Sequence, residues 1–167
     1  MIKKIISGGQ TGVDQAALYV AVEIGIPVGG WCPLGGFDEN GTSMLNSYPL
    51  TDIKELSFEQ SVVERTKRNI IDADGTLIIV PSLPLSPQIT DGTLLTINYA
   101  NTQEKPYLLI AINDEHAIET IHTWLTIHNI NSLNVAGPRE SNSPGIYDKT
   151  CVLLKQLLLF TTSHHVR

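Results

Sequence analysis

A chain of 167 residues, 42% hydrophobic and 17% charged, has enough apolar content for one domain with a real core and too little charge for a disordered one. Its formal net charge of −6 excludes whole-surface attraction to nucleic acid or to an anionic membrane, so an anionic ligand must be held by a local site. No apolar run reaches the length of a bilayer span, and Met1-Ile2-Lys3-Lys4 reads as the start of a strand without the apolar region of a signal peptide. Cys32 and Cys151 lie far apart in no metal-ligand pattern, so the expectation is a cytoplasmic protein with free thiols.

The first element is a short β-branched run ending at Ile5-Ile6. It feeds the loop Ser7-Gly8-Gly9-Gln10-Thr11-Gly12-Val13-Asp14 and then an amphipathic helix from Gln15 to Glu23. Strand, glycine loop and helix in that order supply free backbone N–H groups and a positive dipole end, the parts of an anion site. The glycine spacing fits neither the dinucleotide fingerprint nor the P-loop, so the alternative is a tight turn that needs glycine for close packing. Gln10, Thr11 and Asp14 favour the anion site, because one turn does not need so many polar side chains.

Ile26 to Cys32 reads as a second strand, and Pro33 to Thr51 as a long irregular loop. Trp31 can stack on a flat heterocycle or close the core, and Cys32 fits a small buried residue better than a ligand contact. Ser57 to Asp72 reads as a helix opened by a capping box with Gln60. Arg65 and Asn69 share one face of it, pointing either into a cleft or into solvent. Thr76 to Val80 is a buried-type strand, and Pro81 to Asp91 a stiff loop.

Gly92-Thr93 opens a helix through Asn101, again offering N–H groups and a hydroxyl to an anion or simply capping itself. Pro106 to Ile112 is a strand, and Asn113 or Asp114 caps a helix through His128. His116, His122 and His128, six apart, scatter around that helix as surface residues. Leu133 to Ala136 is the fifth strand, followed by the loop Gly137 to Gly145 and a last helix from Ile146 to Phe160. In that loop Arg139 can fork onto a phosphate or pair with Glu140, while Ser141 and Gly145 stand at another helix start.

Five short apolar strands separated by helices predict an α/β fold, a Rossmann-like parallel sheet of about five or more strands with helices on both faces. The predicted domain spans 1–162, with 163–167 a frayed tail. In such a sheet the polar loops converge past the C-terminal strand ends. The residues expected to bind ligand there are Gly8, Gly9, Gln10, Thr11, Gly12, Asp14, Trp31, Arg65, Asn69, Gly92, Thr93, Arg139, Glu140, Ser141 and Gly145. No nucleophile–base pair and no metal-ligand set is visible. Tyr19, Leu125, Leu153, Leu154, Leu157, Leu158, Leu159 and Phe160 supply apolar surface beyond one helix face, which predicts a homo-oligomer.

Taken together, Ser7-Gly8-Gly9-Gln10-Thr11-Gly12-Val13-Asp14, Gly29-Gly30-Trp31-Cys32-Pro33, Tyr48-Pro49-Leu50, Arg65-Thr66 with Asn69, Asp74-Gly75-Thr76, Gly92-Thr93, and Asn134-Val135-Ala136-Gly137-Pro138-Arg139-Glu140-Ser141 with Pro144-Gly145-Ile146-Tyr147 resemble the family of putative molybdenum carrier proteins. That family is similar in fold to the SLOG group, which includes the lysine-decarboxylase-like LOG phosphoribohydrolases. The resemblance implies a non-catalytic carrier of the molybdenum cofactor, a phosphorylated pterin whose own dithiolene holds the metal. The partner it implies is thus a phosphorylated small molecule, with neither nucleic acid nor membrane.

The alternative is a LOG-type enzyme acting on a nucleotide. LOG proteins carry a glutamate three residues past the Gly-Thr pair, and here that position is Thr96. Gln15, Leu34 and Asp91 also depart from the carrier pattern, removing two positive charges and adding one negative.

Overall fold

Ile5 and Ile6 are buried and set the first strand, β1 (Lys4–Ile6), in the middle of a sheet. A computed structural model describes residues 1–87 and 90–163, the side chains at 90, 91, 162 and 163 excepted. After β1 come α1 (Val13–Ile24), β2 (Val28–Gly29), β3 (Trp31–Cys32), β4 (Thr51–Asp52) and α2 (Phe58–Asp72). They are followed by β5 (Gly75–Val80), α3 (Thr90–Thr102), β6 (Tyr107–Ala111), α4 (Ala117–Ile127), β7 (Ser132–Ala136) and α5 (Ile146–Ser163). The main sheet is five-stranded in the order β2-β1-β7-β5-β6, and every pairing in it is parallel.

Strand β5 shows why the sheet is covered on both faces. All six of its residues are buried. Leu77 and Ile79 join a core with residues of α1, α4 and α5, whereas Ile78 and Val80 face the other way and pack with Ile97 of α3. Successive side chains of a strand point to opposite faces, so a run without polar breaks belongs in a two-sided sheet. Each such isoleucine or leucine contributes about 1.5–3 kcal/mol by leaving water.

The strand order carries more information than the strand count. Counted from β7, the sheet reads 3-2-1-4-5, the doubly wound order. The chain enters that arrangement at its second strand and supplies the first strand last. Its two ends are accordingly neighbours: Met1, Ile2 and Thr161 line one cavity of about 200 Å³. The reversal of strand order, where ligands bind in such sheets, falls between β7 and β5.

Several elements differ from expectation. Ile26 to Cys32 is not one strand: Gly30 (φ +135°) turns the chain where a Cβ would stand 2.3 Å from the Ser7 carbonyl oxygen. Beyond the turn, β3 leaves the main sheet and pairs with β4, so the expected irregular loop carries a strand of its own and two 3₁₀ turns, Leu34–Gly36 and Met44–Asn46. Helix α3 is described over Thr90–Thr102, so it covers two residues ahead of the expected opening at Gly92 and one beyond Asn101. Helix α4 starts at Ala117, because Asp114 spends its Oδ1 on the His116 N–H (2.9 Å) in the turn before it. Helix α5 runs on to Ser163, and residues 164–167 of the expected tail lie outside the described residues.

Of the apolar surface expected for oligomer contacts, Leu125, Leu153, Leu154, Leu157 and Leu158 are buried in the chain's own core, while Tyr19 and Leu159 are exposed. His116 and His128 are exposed, and His122 sits edge-on to Phe160. Cys32 and Cys151 are free thiols; burial, with Asp52 nearby, pushes the Cys32 thiol up to about 11. Among the described residues no helix is long and apolar enough to cross a membrane.

Candidate ligand-binding site

The loops after β1 and β7 and the first turns of α1 and α3 meet at the C-terminal edge of the sheet, and α2 closes one side. Between them lies a cavity of about 320 Å³. Its polar end is formed by Gly8, Gln10, Asp14, Arg65, Asn134 and Arg139. Its sides are Val62, Val63 and Thr66 of α2 and Gly92, Thr93, Leu95 and Thr96 of α3, with Ile78 below. A slot with aliphatic walls and a few convergent polar groups suits a flat ligand carrying a charged end.

Arg65 is the centre of the polar end. The Ser57–Gln60 capping box fixes the start of α2, and the helix then delivers Arg65 under the β1 loop. Its Nη1 donates to Asp14 Oδ2 at 3.0 Å, and the two side chains are 15% and 5% exposed. Gly8 makes room for it: a Cβ there would stand 1.8 Å from Arg65 Nη1. Arg65 Nε is buried with no hydrogen-bond partner among the described residues. Burial pushes the Asp14 carboxyl above its ordinary value, against the opposing pull of Arg65 and of the Gln10 N–H.

The glycine loop itself is partly closed by the chain. At Gly12 (φ +79°) a Cβ would meet the Pro138 carbonyl oxygen at 2.5 Å, so the β7 loop lies directly over the α1 N-terminus. Thr11 Oγ1 accepts the Glu140 N–H (3.1 Å) and donates to the Glu39 carboxylate. Gln10 Oε1 accepts the N–H groups of Thr11 (3.0 Å) and Glu39 (2.8 Å).

The α5 N-terminus is closed more completely. The Glu140 carboxylate accepts the Gly145 N–H and, at 3.0 Å, the Tyr147 N–H. A carboxylate of the same chain thus occupies the position that a bound anion would take.

Trp31 stands apart from the cavity. Its Nε1 donates to Asp72 Oδ2 (2.8 Å), and the Arg68 guanidinium lies 4.7 Å above its ring. Glu64 and Glu55 hold Arg68 there. Asn69 lines the cavity while clamping Trp31, accepting its N–H (2.7 Å) and donating to its carbonyl (3.0 Å).

Of the residues expected at the site, the structure brings Gly8, Gln10, Asp14, Arg65, Asn69, Gly92, Thr93 and Arg139 to the cavity wall. Gly9, Thr11, Gly12, Trp31, Glu140, Ser141 and Gly145 stand outside that lining. Asn134, Thr66, Thr96 and Asn142 line it too, although none of them is in the set expected to bind ligand. Asn134 had a readable signal: it interrupts an apolar strand, and a polar residue inside a core needs a reason. Its Nδ2 donates to Thr76 Oγ1 at 3.2 Å across β7 and β5.

Fold and cavity define a doubly wound α/β protein with a polar-ended cavity at the strand-order reversal, where such sheets bind ligands. The chain belongs to the circularly permutated YpsA SLOG family, which it matches over residues 5–158. Its structure is similar to the crystal structure of a "Putative molybdenum carrier protein" from Syntrophus aciditrophicus SB. The TM-score is 0.83 at 39% sequence identity, over 94% of this chain and 95% of that one. No curated protein matches the chain.

Proposed function

We propose that this protein is a non-catalytic carrier of the molybdenum cofactor or a closely related phosphorylated pterin, held in the cleft between α2 and α3. The observation that carries the reading is Arg65, a guanidinium buried at the end of an aliphatic slot with one nitrogen left unbonded among the described residues. A buried guanidinium with an unpartnered donor is costly, and at the cavity wall its charge favours an incoming oxyanion or pterin carbonyl.

In this reading the pterin lies between Val62 or Val63 and Leu95, with Asn134 and Thr66 in reach of its polar edge. Its phosphate faces Arg139 at the polar end, while Gly92 and Thr93 of α3 line the wall. When bound, the cofactor brings its own metal ligation through its dithiolene, so the protein's task is to bind, orient and shield it. The structural relative bearing the carrier name supports the same assignment.

The enzymatic alternative, cleavage of a nucleotide, needs a carboxylate free to act. Asp14, the carboxylate among the described residues lining the cleft, is tied to Arg65. Thr96, at the position of the LOG-type glutamate, donates its hydroxyl to the Gly92 carbonyl (3.0 Å). We further propose a single domain, a cytoplasmic location and a homo-oligomer, the last resting on exposed Tyr19, Val22, Val152 and Leu159 along α1 and α5.

The test is thermal unfolding of the purified protein against molybdenum cofactor, pterin phosphates, molybdate, and nucleoside mono- and diphosphates. A ligand at about 100 times its Kd adds about 2.7 kcal/mol of stability. A rise with cofactor or pterin phosphate and none with AMP is expected. A rise with nucleotides alone overturns the carrier reading and directs the next assay to base release.

A further inference from the structure

A carboxylate of this chain sits inside a cluster of anion-binding groups next to the cleft. The segment 38–42 folds on itself: Asp38 Oδ1 accepts the N–H groups of Asn40 (2.9 Å) and Thr42 (3.0 Å), and the turn carries Glu39 over the β1 and β7 loops. The Glu39 carboxylate accepts from the hydroxyls of Thr11 and Ser141 and from the Ser141 N–H at 3.2 Å. Arg139 Nη1 stands 3.9 Å from it. Three donors and a guanidinium, brought from two different loops onto two oxygens, make the donor set of a phosphate site. Arg139 and Gln10 also line the cleft, so this cluster adjoins it.

We propose that Thr11, Ser141 and Arg139 form an oxyanion subsite that Glu39 fills, and that the phosphate of a ligand in the cleft takes its place by displacing the Glu39 carboxylate. This deepens the carrier reading and rests on it for the identity of the incoming phosphate. Charge balance argues for displacement. The cleft's two guanidiniums, Arg65 and Arg139, each already face one carboxylate, Asp14 and Glu39. A phosphate dianion added to that set leaves an excess of negative charge in a partly buried site.

One carboxylate must give way, and the two differ in what holds them. Asp14 is 5% exposed in the first turn of α1 and bound to Arg65. Glu39 rides on a loop and is 14% exposed, and its attachment to the β1 side is the Gln10 contact to its amide, the Thr11 hydroxyl and the neighbouring bond from Gln15 Nε2 to Asp38 (2.8 Å). The hydroxyls that release Glu39 donate equally well to phosphate.

The test is calorimetric titration of inorganic phosphate and pyrophosphate into the wild type, Glu39→Gln and the double variant Glu39→Gln, Arg139→Gln. A site filled by its own carboxylate nine-tenths of the time binds an external anion about tenfold more weakly than the open site. Glu39→Gln is therefore expected to bind phosphate about tenfold more tightly, with the gain lost in the double variant. A folded Glu39→Gln that binds phosphate no tighter than wild type overturns the proposal.

If Glu39→Gln does not fold, hydrogen exchange in the wild type decides. Saturating phosphate should speed exchange at the Glu39 amide by breaking its bond to Gln10, and unchanged or slower exchange overturns the proposal. The two readings fail separately. Pterin phosphate that raises the melting point without any tightening in Glu39→Gln removes the displacement alone. Phosphate tightening in Glu39→Gln with no response to any pterin removes the carrier reading alone.

Discussion

The first turns of α3 and α5 carry the same local signal, a glycine beside hydroxyl residues at a helix start, and the fold uses them differently. Gly92 and Thr93 in α3 line the cleft. At α5 the chain supplies its own anion, with Glu140 receiving the N–H groups of Gly145 and Tyr147. A helix end asks for acceptors and negative charge without specifying their source. A helix start is therefore a binding site only where the surrounding loops leave it open. At α5 the five-residue reach of Glu140 back onto Gly145 closes it.

The largest effect that breaks this contrast is expected on the open side. Arg65→Met leaves Asp14 buried beside an apolar chain, which costs about 3–5 kcal/mol for a broken buried pair. Chemical denaturation at neutral pH should show that loss. The sign with pH is fixed by Asp14: its carboxyl is already held above the ordinary value, and removing Arg65 pushes it higher. Its protonated form is then favoured in the folded state, so the deficit shrinks as pH falls through the folded value. A deficit that grows on acidification refutes this account.

On the closed side, Glu140→Ala should cost about 2 kcal/mol, the loss of two charge-assisted hydrogen bonds at a helix start. It should also open the α5 start to an external anion. Sulfate should then raise the melting temperature of Glu140→Ala by more than that of the wild type. Equal responses would mean that Glu140 is not the anion closing that helix.

Glu39 gives the next effect. Burial raises its carboxyl, but the Ser141 and Thr11 hydroxyls, the Ser141 N–H and Arg139 outweigh this and hold it below the usual 4.5. A lowered carboxyl contributes stability above its unfolded value, lost as pH falls through the folded one. Glu39→Gln should cost about 1–2 kcal/mol at neutral pH, and the gap to wild type should narrow below about pH 4.5. Unfolding curves at a series of pH values measure that gap.

Much of the fold is legible in the sequence, and the limits have physical causes. Thr76 to Val80 declares a two-sided strand, and Ser57 with Gln60 declares a helix start, because both signals are local. The strand order is not local. Nothing in Leu133 to Ala136 says that this last strand lies between β1 and β5, since parallel partners are chosen by packing of distant helices. The split at Gly30 is hidden for the same reason: the glycine is needed because Ser7, just past the end of β1, passes close by. At the site, Asp14 and Arg65 are each candidates in the sequence, but 51 positions separate them and nothing local pairs them. Glu39 reads in sequence as one carboxylate of a polar loop near the cleft, and its partners lie 28 and 102 residues away.

The smallest expected effect concerns Trp31, and it tests where the cleft ends. Trp31 reads in sequence either as a stacking platform for a flat ring or as a residue closing the core. The structure gives its ring to Arg68 and its Nε1 to Asp72, both outside the cavity lining, and gives its backbone to Asn69. Trp31→Phe keeps the ring under Arg68 and the backbone clamp, and loses one hydrogen bond at an exposed position, worth about 0.5–1 kcal/mol at most. It should therefore shift the melting temperature slightly and leave the affinity for a pterin phosphate unchanged within twofold, about 0.4 kcal/mol. Asn69→Ala removes the clamp and a cleft-lining side chain together, and should weaken binding by more than Trp31→Phe does. If Trp31→Phe weakens ligand binding tenfold while stability holds, the ring reaches the ligand, and the cleft extends past Asn69 onto the Arg68 face of α2.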